Sequence, residues 1–277
     1  MRTGLALAGG GVPGTTALGV IQALEEADIK ITHVAGTSSG SIVAALYAYG
    51  MATDKLLAVV PRLNRRYLDI DWRSIFLKLV LYRPYLDGWL KGKRLFDLVA
   101  ELTESSFLSE MKIPCGIIAT DLSSGRPIIF AKQPIDGYTT ESEISIAEAV
   151  RASISIPVLF QPMRWKDYVL VDGGVTMNCP VQVVRAMGAE RVISVDPVTP
   201  FVKQKNPLTS ALSIFNYAIN LNLQYQMQQE HSYADLTLFP MVGPVSSFDF
   251  RKVQQCITAG YRHAKEKLDE IKNVLSQ

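Results

Sequence analysis

Hydrophobic and polar positions alternate in blocks along this chain, and the first blocks are the clearest. Gly4 to Ala8 is a short apolar run that reads as a buried strand. A glycine loop, Gly9 to Gly14 (GGGVPG), interrupts it. Thr16 to Ala27 then places Leu18, Ile21 and Leu24 on one face at helical spacing. His33 to Ala35 reads as a second strand and runs into Gly36-Thr37-Ser38-Ser39-Gly40. The following stretch, SIVAALYAY, is apolar on nearly every side and predicts a buried helix ending near Gly50. Strand, crossover helix and strand form the βαβ unit of a parallel sheet.

Further along, Lys55 to Ser109 interleaves aromatic and basic residues and reads as helices and loops inserted over the sheet. Ile113 to Ala119 returns to a strand, with Pro127 to Phe130 beside it. Ile144 to Arg151 predicts a helix closed by the turn before Pro157. Tyr168 to Val171 is a short strand that meets Asp172-Gly173-Gly174, and Arg191 to Val195 is another buried strand. Leu208, Leu212, Phe215, Ile219 and Leu223 form one helical stripe. Phe250, Val253, Ile257, Ala264, Leu268 and Ile271 form a second. Both are expected to pack on the sheet. The chain shows no repeat or linker, so one α/β domain over residues 1–277 is expected. Within it, residues 55–109 form an insertion and 207–277 the C-terminal helices.

Composition changes this picture little. Of the 277 residues, 48% are apolar and 19% charged, which supplies a core and argues against disorder. The formal net charge of +2 gives no footprint for nucleic acid. Cys115, Cys179 and Cys256 show neither metal-ligand spacing nor a disulfide framework, so reduced thiols are expected. No signal peptide is evident at Met1-Arg2-Thr3, and the longest apolar run, near Ile42 to Tyr49, is too short to span a bilayer. A soluble cytoplasmic protein is the expectation.

The sharpest chemical signal is Gly36-Thr37-Ser38-Ser39-Gly40 between a strand and a helix. This is the context of a nucleophile elbow, in which the serine sits on a strained turn and its second neighbours lack side chains. Only Ser38, not Ser39 or Ser41, has glycine at both of those positions. The loop Gly9-Gly10-Gly11-Val12-Pro13-Gly14 can turn several N–H groups toward an oxyanion or phosphate. Its letters also fit a dinucleotide fingerprint, but the second strand reads His33-Val34-Ala35 and offers no acid for a ribose. A serine needs a base. His33 lies five residues before Ser38, about 16 Å away along a strand, and cannot reach it. His231 and His263 satisfy the chain order of an ordinary triad and remain open as bases. Asp172, at the end of a strand and followed by Gly173 and Gly174, is the other candidate. A carboxylate in a dry pocket within about 3 Å of the hydroxyl can take its proton.

The glycine loop, GTSSG and DGG, in that order, resemble the patatin-like phospholipase family. Ala152-Ser153 with Pro157 before Phe160, and Asn178 with Pro180 after DGG, resemble its flanking text. The resemblance runs from about Gly4 to Lys272. It implies a three-layer α/β/α fold with a mainly parallel central sheet and a helical insertion covering the site. It also implies a Ser38–Asp172 dyad, an oxyanion hole from the Gly10 and Gly11 amides, an acyl-enzyme, and no metal or organic cofactor. One position departs from the family pattern. Pro13 stands where a basic residue is usual, which removes a positive charge and one N–H from the loop.

The expected activity is therefore hydrolysis of fatty acyl esters of a phospholipase A or lysophospholipase type. Rivals are an esterase, thioesterase or acyltransferase on other acyl groups, a Ser-His-Asp hydrolase, and a non-catalytic lipid- or nucleotide-binding module. Tyr67 to Leu95, with Trp72, Ile75, Phe76, Leu79, Val80, Leu81, Tyr82, Tyr85 and Trp89 among cations, reads either as an ordinary helical cover with solvated cations, since Pro84 and Gly88 interrupt its apolar stripe, or as a lid and acyl groove touching an anionic membrane surface. Oligomeric state is not legible.

Overall fold

The computed structural model describes residues 1–62, 64–71, 88–197 and 211–276. Most of the apolar residues of the expected lid, Trp72 to Tyr85, lie outside them, as do Leu208 and the side chains of Leu212, Phe215 and Ile219.

β1 (Thr3–Leu7) leads through the glycine loop and a 3-10 turn (Val12–Thr15) into α1 (Thr16–Glu25). β2 (Ile31–Thr37) leads into α2 (Ser39–Tyr49), which ends at Gly50 with φ +97°, a left-handed cap that favours glycine. α3 (Thr53–Val59) and α4 (Lys93–Leu102) come next among the described helices. β3 (Cys115–Asp121), β4 (Arg126–Phe130) and β5 (Thr139–Glu141) follow, then α5 (Ile146–Ser153). α5 starts with a capping box in which Ser145 and Glu148 satisfy each other's backbone N–H groups. β6 (Met163–Trp165) and β7 (Tyr168–Asp172) form a hairpin. α6 (Val181–Ala186), β8 (Arg191–Val195), α7 (Ala211–His231), β9 (Leu236–Leu238), α8 (Val253–Glu266) and α9 (Leu268–Ser276) complete the chain.

The sheet runs β5-β4-β3-β2-β1-β8-β9, with β1, β2, β3, β8 and β9 parallel. Side chains alternate across it, as strand geometry dictates. Leu5, Leu7, Val34 and Ile117 join α1, α2, α5 and α8 in one core layer. Ala6, Ala8, Ala35 and Ile118 face Val181, Val183, Val184 and Met227 in the other. The result is the expected three-layer α/β/α arrangement. Small residues on the second face let α6 come close: a side chain at Gly116 would stand 3.0 Å from Val183 Cγ1.

The structure supplies one direction that the sequence left open and differs from the sequence reading in two details. β7 is antiparallel to β3, because it returns through the β6 hairpin rather than through a crossover helix. The last helical stripe is broken at Lys267 into α8 and α9. Its main partner is α1 rather than the sheet. The two helices touch through glycine, since side chains at Gly19 and Gly260 would strike the backbone carbonyls of Ile257 and Thr16.

Residues 69–70 and 90–93 are tied together. Ile70 pairs antiparallel with Leu90, and Leu90 pairs parallel with Phe160. Asp69 accepts hydrogen bonds from the N–H groups of Gly92 (2.8 Å) and Lys93 (3.0 Å).

Candidate active site

β3 brings the two main candidates together. One of its edges is taken by β4 along Ile117 to Asp121. The other edge is shared end to end: β2 covers Cys115 to Ile118 and β7 covers Ala119 to Asp121. Thr37 pairs with Ile118 and Asp172 pairs with the next residue, Ala119. Two strands running in opposite directions thus meet at their C-terminal ends. Ser38 follows one, and Asp172 ends the other.

Ser38 has φ +52° and ψ −126°, a sparsely populated backbone conformation for a residue with a side chain. The chain turns there because its surroundings leave no alternative. A side chain at Gly36 would strike the Gly40 carbonyl, and one at Gly40 would strike the Leu7 carbonyl. Ser38 caps α2, whose N-terminal dipole favours negative charge at that point. Its own N–H donates to Ser153 Oγ at 3.0 Å, and its carbonyl accepts from Ser41 Oγ at 2.6 Å.

Asp172 is buried, 5% exposed. Its Oδ1 accepts the Gly174 N–H at 2.8 Å. Oδ2 is buried and makes no hydrogen bond among the described residues, while the nearby Ser38 hydroxyl favours the ionised carboxylate. Burial pushes the carboxyl up to about 6, while the Gly174 N–H and the Ser38 hydroxyl pull the other way. Asp172 is thus a stronger base than an exposed carboxylate. The two following glycines allow the close fit: a side chain at Gly173 would strike the Ile118 carbonyl, and one at Gly174 would lie 3.1 Å from Asp172 Oδ1.

The glycine loop closes the third side. Gly9 donates its N–H to the Asn178 carbonyl at 3.2 Å, and a side chain there would stand 2.9 Å from Ser38 Cβ. Gly11 has φ +68°. Neither Gly10 nor Gly11 donates its N–H to an acceptor among the described residues, and Gly11 lines the same cleft as Ser38. Gly14 packs against Ser39. Pro13 lies within the 3-10 turn, where a missing N–H costs little, so the departure noted in the sequence leaves Gly10 and Gly11 in place.

The three histidines lie elsewhere. His33 bonds through Nδ1 to Thr32 Oγ1 at 2.8 Å, and burial pulls its pKa down. His231 Nε2 lies 3.3 Å from Asp196 Oδ2, and its ring meets Phe239 edge-on. His263 is half-buried on α8 and has its pKa lowered by burial. None of these contacts involves Ser38 or Asp172.

Ser38 opens on an apolar cleft. Ile42, Val60, Leu95, Ile154, Ile156 and Phe250 are among its walls. Phe250 and Val253, read from the sequence as packing residues, also line it. Sequence reasoning missed Ser153 and Ser155 as neighbours of the candidates. Their only signal was the short motif around Ser153, which carries no direction in space. Among the described residues no cluster of His, Cys, Asp and Glu has the geometry to hold a metal ion.

An uncharacterized NTE family protein of Mycobacterium bovis is 29% identical over 194 residues, covering 70% of this chain and 48% of its own length. The chain thus spans about half the length of that mycobacterial relative. The uncharacterized protein YqhO of Bacillus subtilis is 28% identical over 268 residues, covering 89% of this chain and 90% of its own. Lysophospholipase nte1 of Aspergillus terreus is 26% identical over 302 residues, covering 98% of this chain and 18% of its own. Among solved structures, VipD from Legionella pneumophila superposes with a TM-score of 0.60 at 15% identity, covering 97% of this chain and 67% of that one. Human GIVD cytosolic phospholipase A2 gives 0.55 at 12% identity, covering 99% and 60%. These two likenesses speak for the fold. Residues 5–185 match the family described as patatin-like phospholipase, and with that match the chain belongs to this family.

Proposed function

We propose that this chain is a serine lipid acyl-hydrolase in which Ser38 is the nucleophile and Asp172 the base. The reading rests on one observation: β2 and β7 meet end to end on β3 and deliver a strained serine and a buried carboxylate to one point. Asp172 takes the Ser38 proton as Oγ attacks the acyl carbonyl. The developing oxyanion is held by the Gly10 and Gly11 N–H groups. Collapse expels the alcohol, which receives the proton from Asp172. Water, deprotonated by the same carboxylate, then adds to the acyl-enzyme and releases the fatty acid and free Ser38. The apolar cleft suits a fatty acyl chain, so phospholipids or lysophospholipids are the proposed substrates.

The test is ester hydrolysis by four variants. Ser38→Ala and Asp172→Asn each lose activity. His231→Ala and His263→Ala retain it. A folded histidine variant without activity would replace the dyad with a triad.

A further inference from the structure

The residues 153–156 alternate as Ser-Ile-Ser-Ile, and the two kinds of side chain serve different neighbours. Ser153 is fully buried, and its Oγ accepts the Ser38 N–H at 3.0 Å. Two residues on, the Ser155 carbonyl accepts the Asp172 N–H at 2.9 Å. One three-residue segment therefore holds the backbone of both members of the dyad and sets their separation. Ile154 and Ile156, between and after the two serines, line the cleft beside Ser38.

The segment is itself fixed from behind. Arg151 is buried, 9% exposed. Its Nη1 donates to Ser155 Oγ, while Nε (3.0 Å) and Nη2 (2.6 Å) donate to the Lys91 carbonyl. Nη2 also donates to the Gln161 carbonyl at 2.9 Å. Both carbonyls belong to the short ladder of Ile70, Leu90 and Phe160, next to Phe160 in the cleft wall. A buried guanidinium whose donors are met by carbonyls and a hydroxyl rigidifies what it touches.

We propose that the segment Ser153–Ile156 couples occupancy of the cleft to alignment of the dyad, with Ser153 and Ser155 as positioning residues. The inference rests on the dyad assignment above. An acyl chain packed on Ile154 and Ile156 presses on the same segment whose Ser153 hydroxyl and Ser155 carbonyl hold the Ser38 and Asp172 N–H groups. Binding energy from the distant part of the chain is thereby expressed in the chemical step as well as in affinity. Chain-length preference should accordingly appear in kcat, whereas a cleft that merely binds the chain would place it in KM.

Methyl alkyl fluorophosphonates with ethyl, butyl, octyl and dodecyl chains test this. Ser38 Oγ attacks phosphorus, the P–O bond forms, fluoride leaves, and the proton passes to Asp172. The maximal labelling rate, kinact, and the binding constant, KI, are measured separately. For the wild-type chain, kinact rises with chain length. In Ser153→Ala, kinact for the dodecyl probe falls by about 10²-fold, the scale of a misplacement of about 1 Å, while KI keeps its trend. The ethyl probe loses much less, so the slope of kinact flattens. If Ser153→Ala does not fold, Ser155→Ala, which unties the segment from Arg151 but keeps the Ser155 carbonyl, is read in the same way. A wild-type kinact independent of chain length overturns the coupling, as does an equal loss for short and long probes. No labelling of wild-type Ser38 at all would instead overturn the dyad assignment.

Discussion

At the scale of single residues, burial of Asp172 has two consequences. The first is catalytic. Its carboxyl is pushed up to about 6 by desolvation, and the proposed base works only when ionised. The kcat/KM for ester hydrolysis should therefore rise about tenfold per pH unit below this value and level off above it. A profile with its acid limb near 4 would mean that the carboxylate is better solvated than its burial indicates. The second consequence is for stability. An unfolded aspartate ionises near its ordinary value of 3.8, so between there and about 6 the folded state binds the extra proton. Folding is thus favoured at low pH, and the contribution is lost as pH rises through the folded value. Asp172→Asn, whose Oδ1 can still accept from Gly174, should gain up to about 3 kcal/mol over the wild type at pH 8. The gain should vanish below about pH 4, where both carboxyls are neutral. Urea unfolding at the two pH values measures it.

Among the elements, legibility in the sequence was uneven. The βαβ unit, the elbow and the glycine loop could be read because each depends on short-range pattern: a strand-length apolar run, glycines at fixed offsets, then a helix. The direction of β7 could not. Tyr168 to Asp172 has the same alternation whichever way the strand runs, and its orientation is set by the β6 hairpin and by the free edge of β3 beyond Thr37. Nor could the role of Ser153 be read, since an acceptor for the Ser38 N–H is a matter of packing across 115 residues of chain. The partner of the last helical stripe was also hidden. An apolar face does not say what covers it, and α8 turns out to lie on α1 with Gly19 and Gly260 at the contact. Gly260→Ala is expected to push α8 off the Thr16 carbonyl and to cost about 2 kcal/mol or more, of the kind seen for overpacked cores. Chemical denaturation reads the loss. Because Phe250 and Val253 precede this contact and line the cleft, long-chain ester hydrolysis should fall with it.

For the molecule as a whole, the sheet's C-terminal edge, the inserted segment's anchored base and the start of α8 enclose one apolar space beside Ser38. A fatty acid released there remains in contact with the walls that held it as an ester. Long-chain products such as palmitate should therefore compete with substrate, while butyrate at the same concentration should not. Displacement of a fluorescent fatty acid, run beside steady-state kinetics, checks this. Equal inhibition by both acids would place product binding outside the cleft. No helix among the described residues is long and apolar enough to cross a membrane.

The hairpin of β6 and β7 gives the base a mooring quite unlike that of the nucleophile. Ser38 stands on an interior strand flanked by β1 and β3, whereas Asp172 arrives on an arm that turns at Lys166, where φ is +48° and the ammonium group reaches Glu141 at 2.7 Å. Severing the polypeptide between Lys166 and Asp167 would leave Asp172 held by the pairing of β7 with β3 and β6 and by the Ser155 carbonyl alone, so a nicked chain that stays folded would measure how much the turn contributes to fixing the proposed base.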